Sequence, residues 1–299
     1  MRLVVALGGN ALLRRGEPLS AEAQRRNMRA VAGALARACA PHETVVVHGN
    51  GPQVGLLALE AEAYGQAPPT PLDVLGAESQ GMIGYVIAQE LRNAAPGREV
   101  AALLTQAVVD PEDPAFRAPT KPIGPVYPPA EAAALRARGW SLAPDGQGVR
   151  RVVASPQPVE IVELAVVENL LGAGALVVCA GGGGVPVRRL ADGRLEGVEA
   201  VVDKDLSAAL LARRLGAERL VILTDVDGVH ADWGTPAARR IDQATPALLR
   251  AMSFAPGSMG PKVAAAAAFV EAGGGTAAIG SLDEAEAVIA GQAGTQVRA

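Results

Sequence analysis

Short, uninterrupted apolar runs recur along the chain, and most of them end in glycine. Residues 3–7 (LVVAL) lead into Gly8-Gly9-Asn10, and residues 44–47 (TVVV) into His48-Gly49-Asn50-Gly51-Pro52. Residues 176–180 (LVVCA) lead into four glycines at 181–184, and residues 220–223 (LVIL) into Thr224-Asp225-Val226-Asp227-Gly228-Val229. Between these runs lie stretches of helical period at 21–38, 77–93, 158–171, 206–215 and 262–272. A strand that is apolar on both faces is buried on both faces, and its alternation with helices predicts an α/β fold with a mainly parallel sheet. Ligands in such sheets bind beyond the carboxyl ends of the strands, where these glycines fall.

Residues 110–155 break the rhythm. A proline-rich segment (PEDPAFRAPTKPIGPVYPP) is followed by a short helix-like run (AEAAALRARGW), a turn (APDGQG) and a strand-like VRRVVAS. Phe116, Val126, Tyr127 and Trp140 give this interval apolar surface to pack, which favours an inserted small subdomain over a disordered linker. A second lobe is expected from about residue 200, where Val201-Val202-Asp203-Lys204-Asp205 opens a helix. It would run through a last strand at 276–279, with 291–297 as a closing turn and sheet edge.

The chain has 299 residues, 49% of them hydrophobic, enough for one large core or two smaller ones. The net charge of −4 argues against a nucleic-acid-binding face, which would carry a basic stripe. No stretch approaches the roughly 18 uninterrupted apolar residues of a membrane span, and the N-terminus shows no secretory signal pattern. A cytoplasmic protein is expected. Cys39 and Cys179 lie far apart in apolar runs and read as small buried hydrophobes. His42, His48 and His230 have no metal-ligand spacing, so no metal site built from protein side chains is expected.

Only three of the 27 basic residues are lysine: Lys121, Lys204 and Lys262. Each is set among Gly, Pro or Asp rather than on a polar helix face. A lysine ammonium is a compact point charge on a flexible stem, unlike the planar fork of arginine, and it suits a phosphoryl group in transfer. A GC-rich genome that replaced lysine by arginine and left three by chance is the competing explanation. Gly8-Gly9 and Gly49 to Gly51 are candidate anion cradles, in which consecutive backbone N–H groups meet a helix N-terminus. Asn10 and Asn50 add side-chain amides there. Each glycine cluster alone is equally what any tight strand-to-helix turn requires, and Asp203 alone reads equally as a helix cap beside a surface pair. No P-loop and no dinucleotide-binding glycine pattern is present.

The segments GGNAL, HGNGPQVG, QGMIGYVIAQEL, PTKPIGPVY, VVDKDLSAALLA, LTDVDGV and GSMGPKV occur in this order and span nearly the whole chain. Together they resemble the carbamate kinases of the amino acid kinase superfamily. The resemblance implies an αβα sandwich of two lobes with a protruding subdomain at about 110–155, and a homodimer. Residues 1–200 would form the lobe for carbamate or carbamoyl phosphate, and residues 201–299 the lobe for ATP or ADP. It further implies that Lys204 and Lys262 contact the transferring phosphoryl group, that Asp205 organises them, and that Lys121 reaches the substrate phosphate from the subdomain. Gly8, Gly9, Asn10, Gly49, Asn50, Gly51 and Gly182 would surround the small substrate. Thr224, Asp225, Val226, Val229, Met259, Gly260 and Lys262 would meet the nucleotide.

The implied reaction is reversible phosphoryl transfer between ATP and carbamate with Mg²⁺, with arginine breakdown as one setting. Such transfer asks a protein mainly for in-line positioning and cancellation of charge. Carbamate is already an anionic nucleophile, so no general base is needed. An acetylglutamate kinase would want an arginine clamp and a larger apolar pocket, which PTKPIG and HGNGPQVG argue against. A nucleotide-sensing protein without catalysis would have no reason to keep all three lysines and Asp205. An aspartokinase would be expected to carry a further regulatory domain.

Overall fold

The computed structural model describes residues 1–9, 12–13, 16–66, 68–254 and 258–299. An eight-stranded sheet runs through the centre in the order Gln243–Ala244, Thr295–Val297, Thr276–Ser281, Arg219–Thr224, Arg2–Leu7, Glu43–His48, Leu176–Val178, Val100–Ala102. Every pairing is parallel except that between Thr276–Ser281 and Thr295–Val297.

Successive residues of a strand point to opposite faces, so each central strand feeds two cores. On one face Leu3, Val5 and Leu7 pack with Met28, Leu35, Ile83 and Ile87, from the helices Ala21–Cys39 and Leu72–Ala94. On the other face Val4 and Ala6 pack with Ala208, Leu211, Ala266 and Phe269, from the helices Lys204–Arg214 and Met259–Glu271. The result is the expected three-layer αβα sandwich around a mainly parallel sheet. Fully burying a side chain of the size of Leu35 or Phe269 contributes roughly 2 kcal/mol. Cys39 and Cys179 are unpaired thiols inside these layers, and burial pushes Cys179 up to about 12.

Residues 110–155 form a separate antiparallel sheet of Lys121–Tyr127, Gly148–Val153 and Ser141–Asp145, with Gly148–Val153 in the middle. Lys121–Tyr127 rests on the helix Gly51–Tyr64 through a small core of Val54, Ala58, Ile123 and Val153. A further sheet, Leu195–Gly197, Val185–Arg189, Gln106–Val109 and Pro158–Ile161, flanks the main one.

Two sequence expectations are corrected. Residues 158–171 are not one helix: Pro158–Ile161 is an edge strand on Gln106–Val109, and the helix begins at Leu164. Proline is tolerated at the first position of an edge strand, and Ile161 gains burial there. Thr295–Val297 is not the sheet edge, because Gln243–Ala244 pairs along its outer side. HGNGPQVG is a strand-to-helix turn, as its glycines suggested. The helix Gly51–Tyr64 starts within it, and Pro52 falls in the first turn, where its missing N–H breaks no helical bond.

Candidate active site

Strand register assembles the site. Leu7 lies opposite both Leu223 and His48, and Val178 lies opposite Val46. The carboxyl ends of four strands from distant parts of the chain therefore finish along one edge. Gly8 follows the first strand and donates its N–H to the Leu223 carbonyl at 2.8 Å, against Thr224. Gly49 follows the second, beside the Gly9 backbone, and Gly51 opens the helix Gly51–Tyr64. Asn50 does not cap that helix with its side chain. Its amide donates instead to Ser79 Oγ at 2.8 Å, and Ser79 Oγ donates to the Gly76 carbonyl at 2.7 Å.

Gly182 closes over Asn50 from the fourth strand end. It has φ +63°, and a Cβ there would lie 2.1 Å from the Asn50 amide nitrogen. Only glycine satisfies both the left-handed backbone and this approach. The neighbouring turn is held by Gln80 and Thr105, with Gln80 Nε2 donating to the Thr105 carbonyl at 3.0 Å. Gly8, Gly9, Gly49, Asn50, Gly51 and Gly182 thus share one strand-end edge. Asn10 lies outside the described residues.

The lysines converge on this edge. The helix Lys204–Arg214 starts at its cap residue Asp203, whose Oδ1 accepts the Asp205 N–H at 2.9 Å. The other oxygen of Asp203 accepts Lys121 Nζ, which arrives from the subdomain sheet. Asp205 is buried, and it accepts Lys204 Nζ on Oδ1 at 2.7 Å and Lys262 Nζ on Oδ2 at 3.1 Å. The Lys204 stem passes directly over Gly49, where a Cβ would sit 3.3 Å from Lys204 Cδ.

Three ammonium groups meet two carboxylates in this five-residue cluster, a surplus of one positive charge. Burial opposes ionisation of Asp203, but Lys121 and Lys204 outweigh it and hold the carboxyl well below the usual carboxylate range. Burial pulls the Lys204 pKa down despite Asp205. Burial also acts against Lys262, yet its pairing with Asp205 leaves that group raised. An electropositive, water-poor point at strand ends and a helix start is suited to an anion of mobile charge.

Lys262 also borders a large cleft of about 1120 Å³ on the C-terminal side, with Thr224, Asp225, Val226 and Met259 in its wall. Gly260 is the second residue of the helix that carries Met259 and Lys262. Val229 does not line the cleft. It is fully buried in a strand, and its N–H donates to Thr295 Oγ1 at 2.8 Å. Sequence reasoning missed Trp233, His230 and Phe254 on the cleft wall. A solvent-facing tryptophan in the polar run ADWGTP was the available signal for the first.

Among the described residues no group of three or more His, Cys, Asp or Glu side chains could hold a metal ion. Asp203 and Asp205 are both engaged by lysine, so these residues do not fit a resident Mg²⁺ cage. Among the same residues no helix is long and apolar enough to cross a membrane.

The sequence model of the amino acid kinase family matches residues 1–281. The chain is 52% identical over 299 residues to a carbamate kinase of Haemophilus influenzae, covering 99% of this chain and 96% of that one. It is 54% identical over 294 residues to one from Escherichia coli strain K12, covering 98% of each. A solved carbamate kinase from Giardia lamblia bound to AMP-PNP superposes with a TM-score of 0.89 at 40% identity, over 99% of this chain and 98% of that one. An isopentenyl phosphate kinase of T. acidophilum, at 14% identity and a TM-score of 0.56, shares the fold alone. The chain is thus a kinase-type phosphotransferase: it belongs to the amino acid kinase family and, within it, to the carbamate kinases.

Proposed function

We propose that the protein transfers a phosphoryl group reversibly between ATP and carbamate, converting ADP and carbamoyl phosphate to ATP and carbamate in one direction. The observation that carries this is the convergence of Lys204 and Lys262 on opposite oxygens of Asp205, between the glycine turns and the C-terminal cleft. The acyl phosphate sits on the turns of Gly8, Gly9, Asn10, Gly49, Asn50, Gly51 and Gly182. The nucleotide enters the cleft beside Thr224, Asp225, Val226, Met259 and Gly260. Residues 1–200 then serve the carbamoyl side and residues 201–299 the nucleotide.

The two lysines stabilise charge on the transferring oxygens from either side, and Asp205 fixes both ammonium groups before the substrates arrive. Lys121 exchanges Asp203 for a substrate phosphate oxygen. Mg²⁺ enters with the nucleotide phosphates, as part of the substrate. Carbamate attacks as an anion and needs no base. His48 is not one, since burial pushes it down to about 4 and its Nδ1 faces the Gly49 carbonyl at 3.0 Å.

The protein acts as a cytoplasmic homodimer. The outer face of the helix Leu72–Ala94, which exposes Val74, Met82 and Tyr85, supports a self-associating surface. ATP synthesis during arginine breakdown is the proposed setting. The test is ATP formation from ADP, Mg²⁺ and carbamoyl phosphate, with acetyl phosphate and N-acetylglutamyl phosphate run in parallel. Rapid turnover with carbamoyl phosphate alone is expected, and equal turnover with another acyl phosphate would refute the substrate.

A further inference from the structure

The subdomain sheet is fastened to the body at two ends of one surface. Its strand Lys121–Tyr127 lies along the helix Gly51–Tyr64. Gly55, Ala58, Leu59 and Glu62 of that helix recur at spacings of three and four, so they form a single stripe. Gly55, Ala58 and Leu59 line a small void together with Ile123, Gly124, Tyr127, Trp140 and Arg151. Near the substrate end the two backbones meet without intervening side chains, since a Cβ on Gly55 would lie 2.0 Å from the Gly124 backbone.

At the far end the contact is ionic. The Glu62 side chain is only 15% exposed. It forms ion pairs with Arg138 through Oε2 and with Arg151, whose Nη1 lies 3.5 Å from Oε1. Both guanidinium groups also lie over the Trp140 ring, at 4.7 and 4.6 Å from its centroid. Tyr127, at the end of the Lys121 strand, meets the same ring edge-on at 5.9 Å. A carboxylate of the body therefore ties the helix-loop residue Arg138 and the central-strand residue Arg151 of the subdomain. One aromatic ring, packed on the Lys121 strand, fills the space between them.

This fastening stands apart from the lysine cluster. Lys121, at the other end of its strand, is the one subdomain residue whose ion pair with Asp203 the proposed reaction must break. While Lys121 changes partner, something else has to keep its strand in place. We infer that Glu62 is a positioning residue, which holds the subdomain through Arg138 and Arg151 so that Lys121 is presented to the phosphoryl group of the acyl phosphate. The inference rests on the functional reading above, since it gives Lys121 a substrate to reach. Glu62 itself touches no substrate.

The test is Glu62→Gln, which keeps side-chain shape and removes the charge, with Arg138→Gln breaking the same contact from the other side. Each variant should raise KM for carbamoyl phosphate about tenfold and leave KM for ADP within about twofold. In a Lys121→Ala background Glu62→Gln should add nothing beyond about twofold, because residues acting through one another are non-additive. Amide hydrogen exchange of 121–127 and 148–153 should quicken in Glu62→Gln, with the helix Lys204–Arg214 unchanged. Equal penalties for Glu62→Gln with and without Lys121, or parallel rises in both KM values, would overturn the inference. If the wild-type protein makes no ATP from carbamoyl phosphate, the functional reading fails instead. Hydrogen exchange then decides the fastening alone, and unchanged exchange in both variants would refute it.

Discussion

Lys204 and Lys262 come from the first turns of two different helices and bind opposite oxygens of one buried carboxylate, Asp205, at 2.7 and 3.1 Å. Asp205 thereby sets the distance between two cations that would otherwise repel. Lys204→Arg keeps the charge but brings a planar fork to a site shaped for a point charge, against the Gly49 backbone. The expected result is a kcat lower by about 100- to 1000-fold, the scale for losing one preorganised stabilising group. Calorimetric ADP binding should persist. Near-normal turnover by the arginine variant would show that charge alone suffices.

Asp205→Asn leaves the two lysines without their shared counter-charge in a site where water cannot replace it. Breaking a buried ion pair by removing one partner costs about 3–5 kcal/mol. Urea unfolding at neutral pH should show a loss of that order, together with collapse of turnover. A variant as stable as the wild type would mean that one of the lysines turns outward or loses its proton.

Much of this was legible in the sequence because it was local. The apolar runs ending in glycine marked the strands and their carboxyl ends, and the three isolated lysines are the ones that the structure gathers around Asp203 and Asp205. The pairing that makes the site was not legible. Asp203 reads as an ordinary helix cap, and nothing local shows that its second oxygen receives Lys121 from 82 positions away. The same holds for Pro158–Ile161, whose strand character comes from its partner Gln106–Val109 and overrides a helix-like spacing. Trp233 was missed because an exposed tryptophan has significance only once the cleft beside it is known.

Gly182 offers a sharp test of the turn over Asn50. Alanine there must adopt φ +63° and place its Cβ in the Asn50 side chain. Left-handed backbone costs a non-glycine residue about 1–2 kcal/mol before any clash. Gly182→Ala should therefore lower stability by about 2 kcal/mol or more and raise KM for carbamoyl phosphate, since Asn50 must leave Ser79. Gly49→Ala is crowded only by the flexible Lys204 stem, at 3.3 Å, with the Gly9 nitrogen at an ordinary 3.7 Å, so its stability cost should be smaller and its effect should fall on kcat. Equal effects of the two variants in denaturant melts and kinetics would contradict this geometry.

His48 predicts how stability depends on pH. It is buried beneath the Gly181 turn, and burial pushes its pKa down to about 4. An unfolded histidine titrates near about 6.5, so between the two values the unfolded chain binds more protons and folding weakens as pH falls. The contribution is complete above about pH 6.5, and roughly 3 kcal/mol of it is lost by about pH 4. Asp203, whose carboxyl is held low, adds a loss in the same direction, but only below about pH 4. His48→Asn keeps a short N–H donor and removes the titration. The stability difference between wild type and variant should shrink steadily as pH is lowered from 7 to 4.5, in urea melts. A constant difference would acquit His48.

Trp233 stands 67% exposed at the wall of the C-terminal cleft, between the strands Val229–Ala231 and Arg239–Ile241. It is braced rather than loose. His230 meets its ring edge-on at 5.0 Å, and Asp227 holds His230 Nε2 at 2.7 Å. An aromatic face fixed beside a cleft of this size has the geometry to stack a nucleotide base, and such stacking contributes about 1–3 kcal/mol per base. Trp233→Ala should raise KM for ADP about tenfold and leave KM for carbamoyl phosphate unchanged, because the proposed function places the acyl phosphate at the glycine turns, away from this wall. The second tryptophan, Trp140, is buried in the subdomain, so a Trp140→Phe protein reports on Trp233 alone. ADP should quench that single fluorescence over the concentration range in which it binds by calorimetry. If ADP binds and the fluorescence does not change, the base lies elsewhere in the cleft and Trp233 serves only to brace the hairpin.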